Sequence, residues 1–224
     1  MSRRLKSMVS AGRPVLAVNP GGVALPVVDA LADAGVEALF IDCERTPVSI
    51  EGVVILARAA QARGMSALVR SPTRDPAFLT RYLDCRIDGL VLPQVEDAAA
   101  CADFVAVAKA TGRCADLFLV AQIETVAGIV ALEEIAAAPG IDLILIGPND
   151  LSHSMGFAGD AGHPEVQQAV SEVAEKLAAL GRPFGLPVNA ATAGTWVGRG
   201  ARLLYSGLAP LLSPSIAALR EAAS

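Results

Sequence analysis

Apolar runs and polar, amphipathic stretches alternate along this chain with a regular beat. Short runs rich in Val, Leu and Ile fall at Pro14–Val18, Val36–Ile41, Ser66–Val69, Asp88–Leu92, Leu117–Ile123, Ile141–Ile146, Phe184–Val188 and Arg202–Ser206. Each is too short for a helix core and lacks the polar alternation of a half-exposed sheet, as expected of strands buried on both faces. Between them, apolar residues recur at helical spacing over Val23–Ala34, Ser49–Arg63, Pro76–Leu83, Val95–Ala110, Val126–Ala137, Pro164–Leu180, Ala191–Val197 and Ser213–Ala222. Gly35, Gly64 and Gly181 stand where three of these helices should stop. On the longest of them, Glu172 and Lys176 are spaced as an i, i+4 pair. Eight strand and helix pairs, with no hairpin signal and no long linker, predict a single-domain (β/α)8 barrel rather than an open doubly wound sheet. The barrel is expected over residues 14–224, behind a basic stretch at 1–13 that reads as a tail or a frayed surface helix.

Barrel geometry tells where to look for chemistry, because functional groups gather where strands end and the following loops begin. The second strand is followed by Asp42, Glu44 and Arg45, the third by Arg70, and the fourth by Pro93 and Gln94. Gln122 and Glu124 stand at the fifth, and Asn149 and Asp150 after the sixth. The fifth and sixth strands are sequential and parallel, so Glu124 and Asp150 are brought to one rim roughly 5 Å apart. Two carboxylates at that separation repel unless a proton or cation lies between them. They are therefore candidate ligands of one hard divalent ion, Mg2+ or Mn2+. The competing reading is structural, with Glu124 opening a helix and Asp150 capping a turn. Arg70, Arg45 and Gln122 form the candidate catalytic set, with Pro93, Gln94 and Asn149 as candidate substrate contacts. Arg70 either forks onto a carboxylate or developing oxyanion, or forms a salt bridge to Asp42 or Glu44. Asp42 and Glu44 are expected as outer acceptors that orient water around the ion. Of the two histidines, His153 reads as solvated in a loop or helical turn and His163 as a capping side chain.

Composition narrows the remaining possibilities. The chain is 53% hydrophobic and only 18% charged, which suits a helix-wrapped sheet that also hides surface in a homo-oligomer. Its net charge of -5 disfavours nucleic acid and anionic membranes as partners. Cys43, Cys85, Cys101 and Cys114 have no paired spacing and are expected as reduced thiols of a cytoplasmic protein. No uninterrupted apolar segment has the length of a membrane span, and no phosphate-binding glycine string follows a strand.

Five ordered strings carry a more specific resemblance: FIDCERTP at Phe40–Pro47, LVRSP at Leu68–Pro72, DGLVLPQVEDA at Asp88–Ala98, AQIET at Ala121–Thr125 and IGPNDLSHSMG at Ile146–Gly156. Together they resemble the HpcH/HpaI aldolase and citrate lyase family, the metal-dependent class II pyruvate aldolases. The resemblance implies a barrel whose last helix is exchanged between protomers of a trimer or hexamer. It also implies Mg2+, Mn2+ or Co2+ held by Glu124 and Asp150, and Arg70 on the enolate oxygen of a 2-oxo acid undergoing aldol cleavage or addition with an aldehyde. Two departures stand out. The family's histidine after the second strand is Arg45 here, and an arginine cannot accept a proton at neutral pH. The Arg-Gly-rich loop before the fifth strand is reduced to a short turn at Ala110–Asp116. Decarboxylation of oxaloacetate, which reaches the same enolate without that base, and a non-catalytic relative that binds a carboxylate are the alternatives these departures raise.

Overall fold

The computed structural model describes residues 3–223. Eight parallel strands close into a barrel in chain order: β1 (Val15–Asn19), β2 (Ala38–Asp42), β3 (Ser66–Arg70), β4 (Gly89–Leu92), β5 (Phe118–Ile123), β6 (Leu143–Ile146), β7 (Phe184–Pro187) and β8 (Ala201–Gly207). β8 pairs back onto β1 from Val15 opposite Leu203 to Asn19 opposite Gly207, which removes every free edge. The strands are nearly continuous apolar runs because both faces are covered. Ala38 and Phe40 join a cluster with Leu68, Val91, Phe118, Leu143 and Leu203 that fills the barrel, while Leu39 and Ile41 join the layer beneath the helices.

Around the barrel run α2 (Leu25–Asp33), α3 (Ile50–Ala62), α4 (Pro76–Asp84), α5 (Ala98–Ala110), α6 (Val126–Val130), α7 (Leu132–Ala137), α8 (Pro148–Ser154), α9 (Pro164–Ala179), α10 (Ala193–Gly198) and α11 (Leu208–Ala222). Local chemistry sets their starts: the side chains of Ser49, Asp75, Asp97 and Thr125 each accept a backbone N–H of the first turn they precede. The expected helix over 126–137 is broken at Ala131, which lets α7 turn Leu132, Ile135 and Ala136 into the core while Val130 stays exposed. On α9, Glu172 accepts from Gln168 Nε2 at 2.8 Å, one turn back, instead of pairing with Lys176.

The basic stretch at the start is not a frayed tail. It folds as α1 (Arg4–Ser10), and its Leu5, Met8 and Val9 are buried in the cluster that fills the barrel. Charged contacts hold it there, Lys6 Nζ lying 3.2 Å from Asp142 and Arg3 Nε 2.7 Å from Asp116. The opposite happens at the other end of the chain. α11 starts at Leu208, earlier than the pattern predicts, runs through Pro214, and buries none of its residues; Leu211, Leu212, Ile216 and Leu219 are all exposed.

Because Leu5 is fully buried beneath the barrel, Leu5→Ala is expected to lower stability by about 2–5 kcal/mol. Urea denaturation followed by circular dichroism measures this; a loss below about 1 kcal/mol would mean that α1 is not part of the core.

Candidate active site

The alternation that fills the barrel also builds its mouth. On β2, the positions that point inward are Ala38 and Phe40, and the next in that series is Asp42; on β3, Leu68 is followed by Arg70. On β5, Phe118 and Val120 lead to Gln122 and then Glu124, and on β1 and β8 the same parity reaches Asn19 and Tyr205. A period of two thus changes from apolar to polar at the C-terminal rim. A cavity of about 560 Å³ opens there, lined by Asp42, Arg45, Arg70, Gln122, Glu124 and Asp150 among others.

Asp42 is buried and holds Arg70 in a fork, with Nε to Oδ1 at 2.9 Å and Nη2 to Oδ2 at 2.5 Å. Its Oδ1 also accepts the backbone N–H groups of Glu44 (3.1 Å) and Arg45 (3.2 Å), so one carboxylate orients both the arginine and the loop after β2. The third Arg70 nitrogen, Nη1, lies 3.1 Å from Glu44 Oε2, and the Phe40 ring supports the guanidinium from 5.9 Å. Burial pulls the Arg70 pKa down, but the hydrogen bonds and charge of Asp42, with Glu44 and Glu124, raise it overall. Arg70 is a fixed cation.

Glu124 is fully buried. Its Oε1 accepts the backbone N–H of Gln94 at 2.8 Å, and its Oε2 accepts from Gln122 Nε2. Gln94 makes its bond from a left-handed backbone with φ of 51°, a conformation that a side chain adopts only under constraint. Gly147, at the end of β6, packs so closely that an added Cβ would stand 2.7 Å from Glu124 Oε2. Beyond it, Pro148 starts α8 and places Asp150 in the first turn, where a negative charge is favoured.

Glu44, Glu124 and Asp150 each offer an oxygen within 4.8 Å of the other two. Burial, then the charges of Glu44 and Asp150, push the Glu124 carboxyl up to about 7 against the hydrogen bond from Gln94. Burial also raises Glu44. Glu44 Oε2 lies near Arg70 without a hydrogen bond, and buried Gln122 Oε1 receives no donor. Crowded oxygen donors without histidine or cysteine fit a hard divalent cation. Arg45 forms an ion pair with Asp150, and this contact raises the arginine pKa.

Of the residues expected at the mouth, Asp42, Glu44, Arg45, Arg70, Gln122, Glu124 and Asp150 come together, with Glu44 inside the acid cluster rather than behind it. Asn149 lines the cavity, Gln94 contributes its backbone while its side chain is exposed, and Pro93 is buried without lining the cavity. His163 caps α9, its Nδ1 accepting from Glu165 N at 3.3 Å, and stacks on Phe157. His153 is exposed, but it also lines the cavity. The sequence reading missed Asn19, Tyr205 and Gly147. The inward parity of β1 and β8 would have found the first two; nothing in the sequence alone marks Gly147 as the backbone against Glu124.

Fold and rim together define a (β/α)8 barrel that gathers three acids, one of them fully buried, and two arginines at its C-terminal mouth. The chain belongs to the HpcH/HpaI aldolase/citrate lyase family, whose model matches residues 21–194. It is 32% identical over 182 residues to a 2-dehydro-3,6-dideoxy-6-sulfogluconate aldolase of Pseudomonas putida, covering 70% of this chain and 71% of that one. It is also 32% identical over 191 residues to a pyruvate aldolase of Rhizobium etli, covering 75% and 74%. Among solved structures, a family member from Burkholderia cenocepacia superposes with a TM-score of 0.88 at 27% identity, covering 98% of this chain and 99% of that one. The HpcH/HpaI aldolase of Desulfitobacterium hafniense gives 0.84 at 28%, covering 97% and 95%. Aldolases are lyases, and the family is enzymatic.

The acid cluster makes stability depend on pH in a defined direction. Since the folded-state pKa of Glu124 lies above its ordinary value of 4.5, folding takes up a proton between about pH 4.5 and 7, and the metal-free protein loses stability from this group as pH rises through that window. Glu124→Gln should remove this dependence, gaining on the wild type by up to roughly 3 kcal/mol between pH 4.5 and 8. Denaturant melts of both metal-free proteins at the two pH values measure it; parallel pH dependences would refute the raised pKa.

Proposed function

We propose that this chain is a divalent-metal-dependent carbon–carbon lyase acting on a 2-oxo acid through a pyruvate enolate, with aldol cleavage or addition of 4-hydroxy-2-oxo acids as its reaction. The observation that carries this reading is the convergence of Glu44, Glu124 and Asp150 beside Arg70. Glu124 and Asp150, joined by Glu44, are the residues that would hold Mg2+ or Mn2+, with Co2+ as a further fit for oxygen donors. A bound divalent ion supplies Lewis acidity and charge toward the carboxylate and keto oxygens of the substrate. Arg70, locked by Asp42 and kept protonated, presents its charge to the oxygen on which the enolate's negative charge builds. Gln122 keeps the Glu124 carboxylate in place through its Nε2. The relatives' names, a pyruvate aldolase among them, support a pyruvate-type donor and an aldehyde partner.

A second reading, oxaloacetate decarboxylation on the same site, is favoured by Arg45. Aldol cleavage must remove the proton of the 4-hydroxyl, which Arg45 cannot accept, whereas loss of CO2 gives the enolate directly. His153 is the imidazole that lines the cavity among the described residues, and it and water are acceptors that the aldol route could use in place of the missing histidine.

The unburied apolar face of α11 suits exchange between protomers of a trimer or hexamer, where it would cover apolar residues such as Leu25 and Ile55 that the isolated chain leaves exposed. Four unpaired cysteines, three of them buried, suit a reducing cytoplasm. No helix among the described residues is long and apolar enough to cross a membrane.

Purified protein with Mn2+ should release pyruvate from 4-hydroxy-2-oxo acids, with chelation abolishing turnover and Arg70→Ala lowering kcat by roughly 100- to 1,000-fold. Turnover of oxaloacetate alone would favour decarboxylation, and turnover of neither substrate would overturn both. Light scattering is expected to give a multiple of the 22.9 kDa chain, and a chain ending at residue 207 a smaller species; an unchanged mass would exclude α11 from the interface.

A further inference from the structure

Arg45 and Asp150 raise a question that the proposed reaction leaves open, because the carboxylate needed for the cation is already bound to a cation of the protein. Arg45 Nη2 donates to Asp150 Oδ1, and the two form an ion pair. Asp150 is one of three acids whose oxygens converge within 4.8 Å, so a guanidinium on it stands at the approach to the cluster.

The two arginines of the mouth are held differently. Arg70 is almost enclosed, 11% exposed at its side chain, and spreads its nitrogens over Asp42 and Glu44. Arg45 has its one ion pair with Asp150, and its side chain is 57% exposed. The first cannot move without breaking the rim; the second has room to swing and a single bond to release. Charge accounting gives the same division. Asp42, Glu44, Glu124 and Asp150 carry four negative charges when ionised, against two positive charges on Arg45 and Arg70. The difference, two minus charges, is that of one divalent ion. Once that ion takes up the charge of Asp150, Arg45 is left with a full positive charge at the edge of the cavity and no acid bound to it.

We propose that Arg45 and the divalent ion are alternative partners of Asp150, and that Arg45, displaced when the ion binds, anchors a second anionic group at the far end of the 2-oxo acid. This rests on the metal-dependent reading above. The substrate's own 1-carboxylate and keto oxygen belong at the ion, so the anion left for Arg45 is distal to them. The favoured substrates are then 2-oxo acids ending in a carboxylate or a similar anion rather than in a neutral alkyl group. The residue that removes the expected base thereby supplies a specificity element, since a guanidinium forks onto a carboxylate in a way that a neutral tail cannot repay.

Calorimetry tests both halves. Mn2+ should bind Arg45→Gln about tenfold more tightly than wild type, because no guanidinium has to leave Asp150. Wild-type protein loaded with Mn2+ should prefer 2-oxoglutarate to 2-oxopentanoate, a matched pair differing in the distal carboxylate, by roughly tenfold; Arg45→Gln should bind the two equally. Arg45→Lys, which keeps the charge but not the fork, should retain part of that preference. Arg45 is exposed, so the variants should fold, and a circular dichroism melt confirms that each one does. Unchanged or weaker Mn2+ binding by Arg45→Gln would overturn the exchange at Asp150. An unchanged preference between the two 2-oxo acids would overturn the anchoring role. Failure of the wild type to bind Mn2+ at all would instead remove the metal-dependent reading and this proposal with it.

Discussion

The fork between Asp42 and Arg70 is the contact on which the mouth of this barrel depends. It joins the ends of β2 and β3 through two charge-assisted hydrogen bonds in a buried setting, and the same Asp42 oxygen receives two backbone N–H groups of the next loop. Glu44 and Arg45 therefore have fixed starting points, which is how residues from a loop reach across to Asp150 and the acid cluster. A buried ion pair of this kind adds little net stability when compared with a well-packed apolar pair, but removing one partner leaves a charge stranded. Its value here is positional. Glu44 and Arg45 take their places from it, while Glu124 and Asp150 are placed by the end of β5 and the first turn of α8.

Against that fixed frame, Glu124 is held under electrostatic stress. Three acids face one another, burial withholds water from one of them completely, and the backbone supports it from two sides at some local cost, through the left-handed Gln94 and the close approach of Gly147. A site arranged this way is poorly satisfied by itself and well satisfied by a small, hard cation. The stress is a form of preorganisation, since the repulsion that destabilises the protein alone is the kind that a bound cation relieves.

The fold was almost wholly legible in the sequence because buried parallel strands and amphipathic helices leave opposite periodicities, and eight alternations admit few closures. The rim positions of Asp42, Arg70, Glu124 and Asp150 were legible for a related reason: polar residues at or just after the end of an apolar barrel strand fall at the mouth. What could not be read was set by three-dimensional contact. Glu44 lies beyond the end of β2, where strand parity no longer fixes a direction, so only the loop geometry shows it among the acids. Asn19 and Tyr205 obeyed the parity rule but carried no charge to draw attention. The break falls on Ala131, a good helix former three residues after Gly128, and α1 looked like a tail because a short basic segment says nothing of the apolar hollow beneath the barrel.

That first helix has a bearing on how the chain acquires its structure. Leu5, Met8 and Val9 pack against a cluster that includes Leu143 and Leu203, so their burial site does not exist until the barrel has closed. The contacts of α1 thus span much of the sequence, from Leu5 to Leu203, and contacts of such separation are costly to close. Three apolar side chains of α1 therefore plug the closed barrel from the face opposite the acid cluster, so the helix and the closure of β8 onto β1 depend on each other.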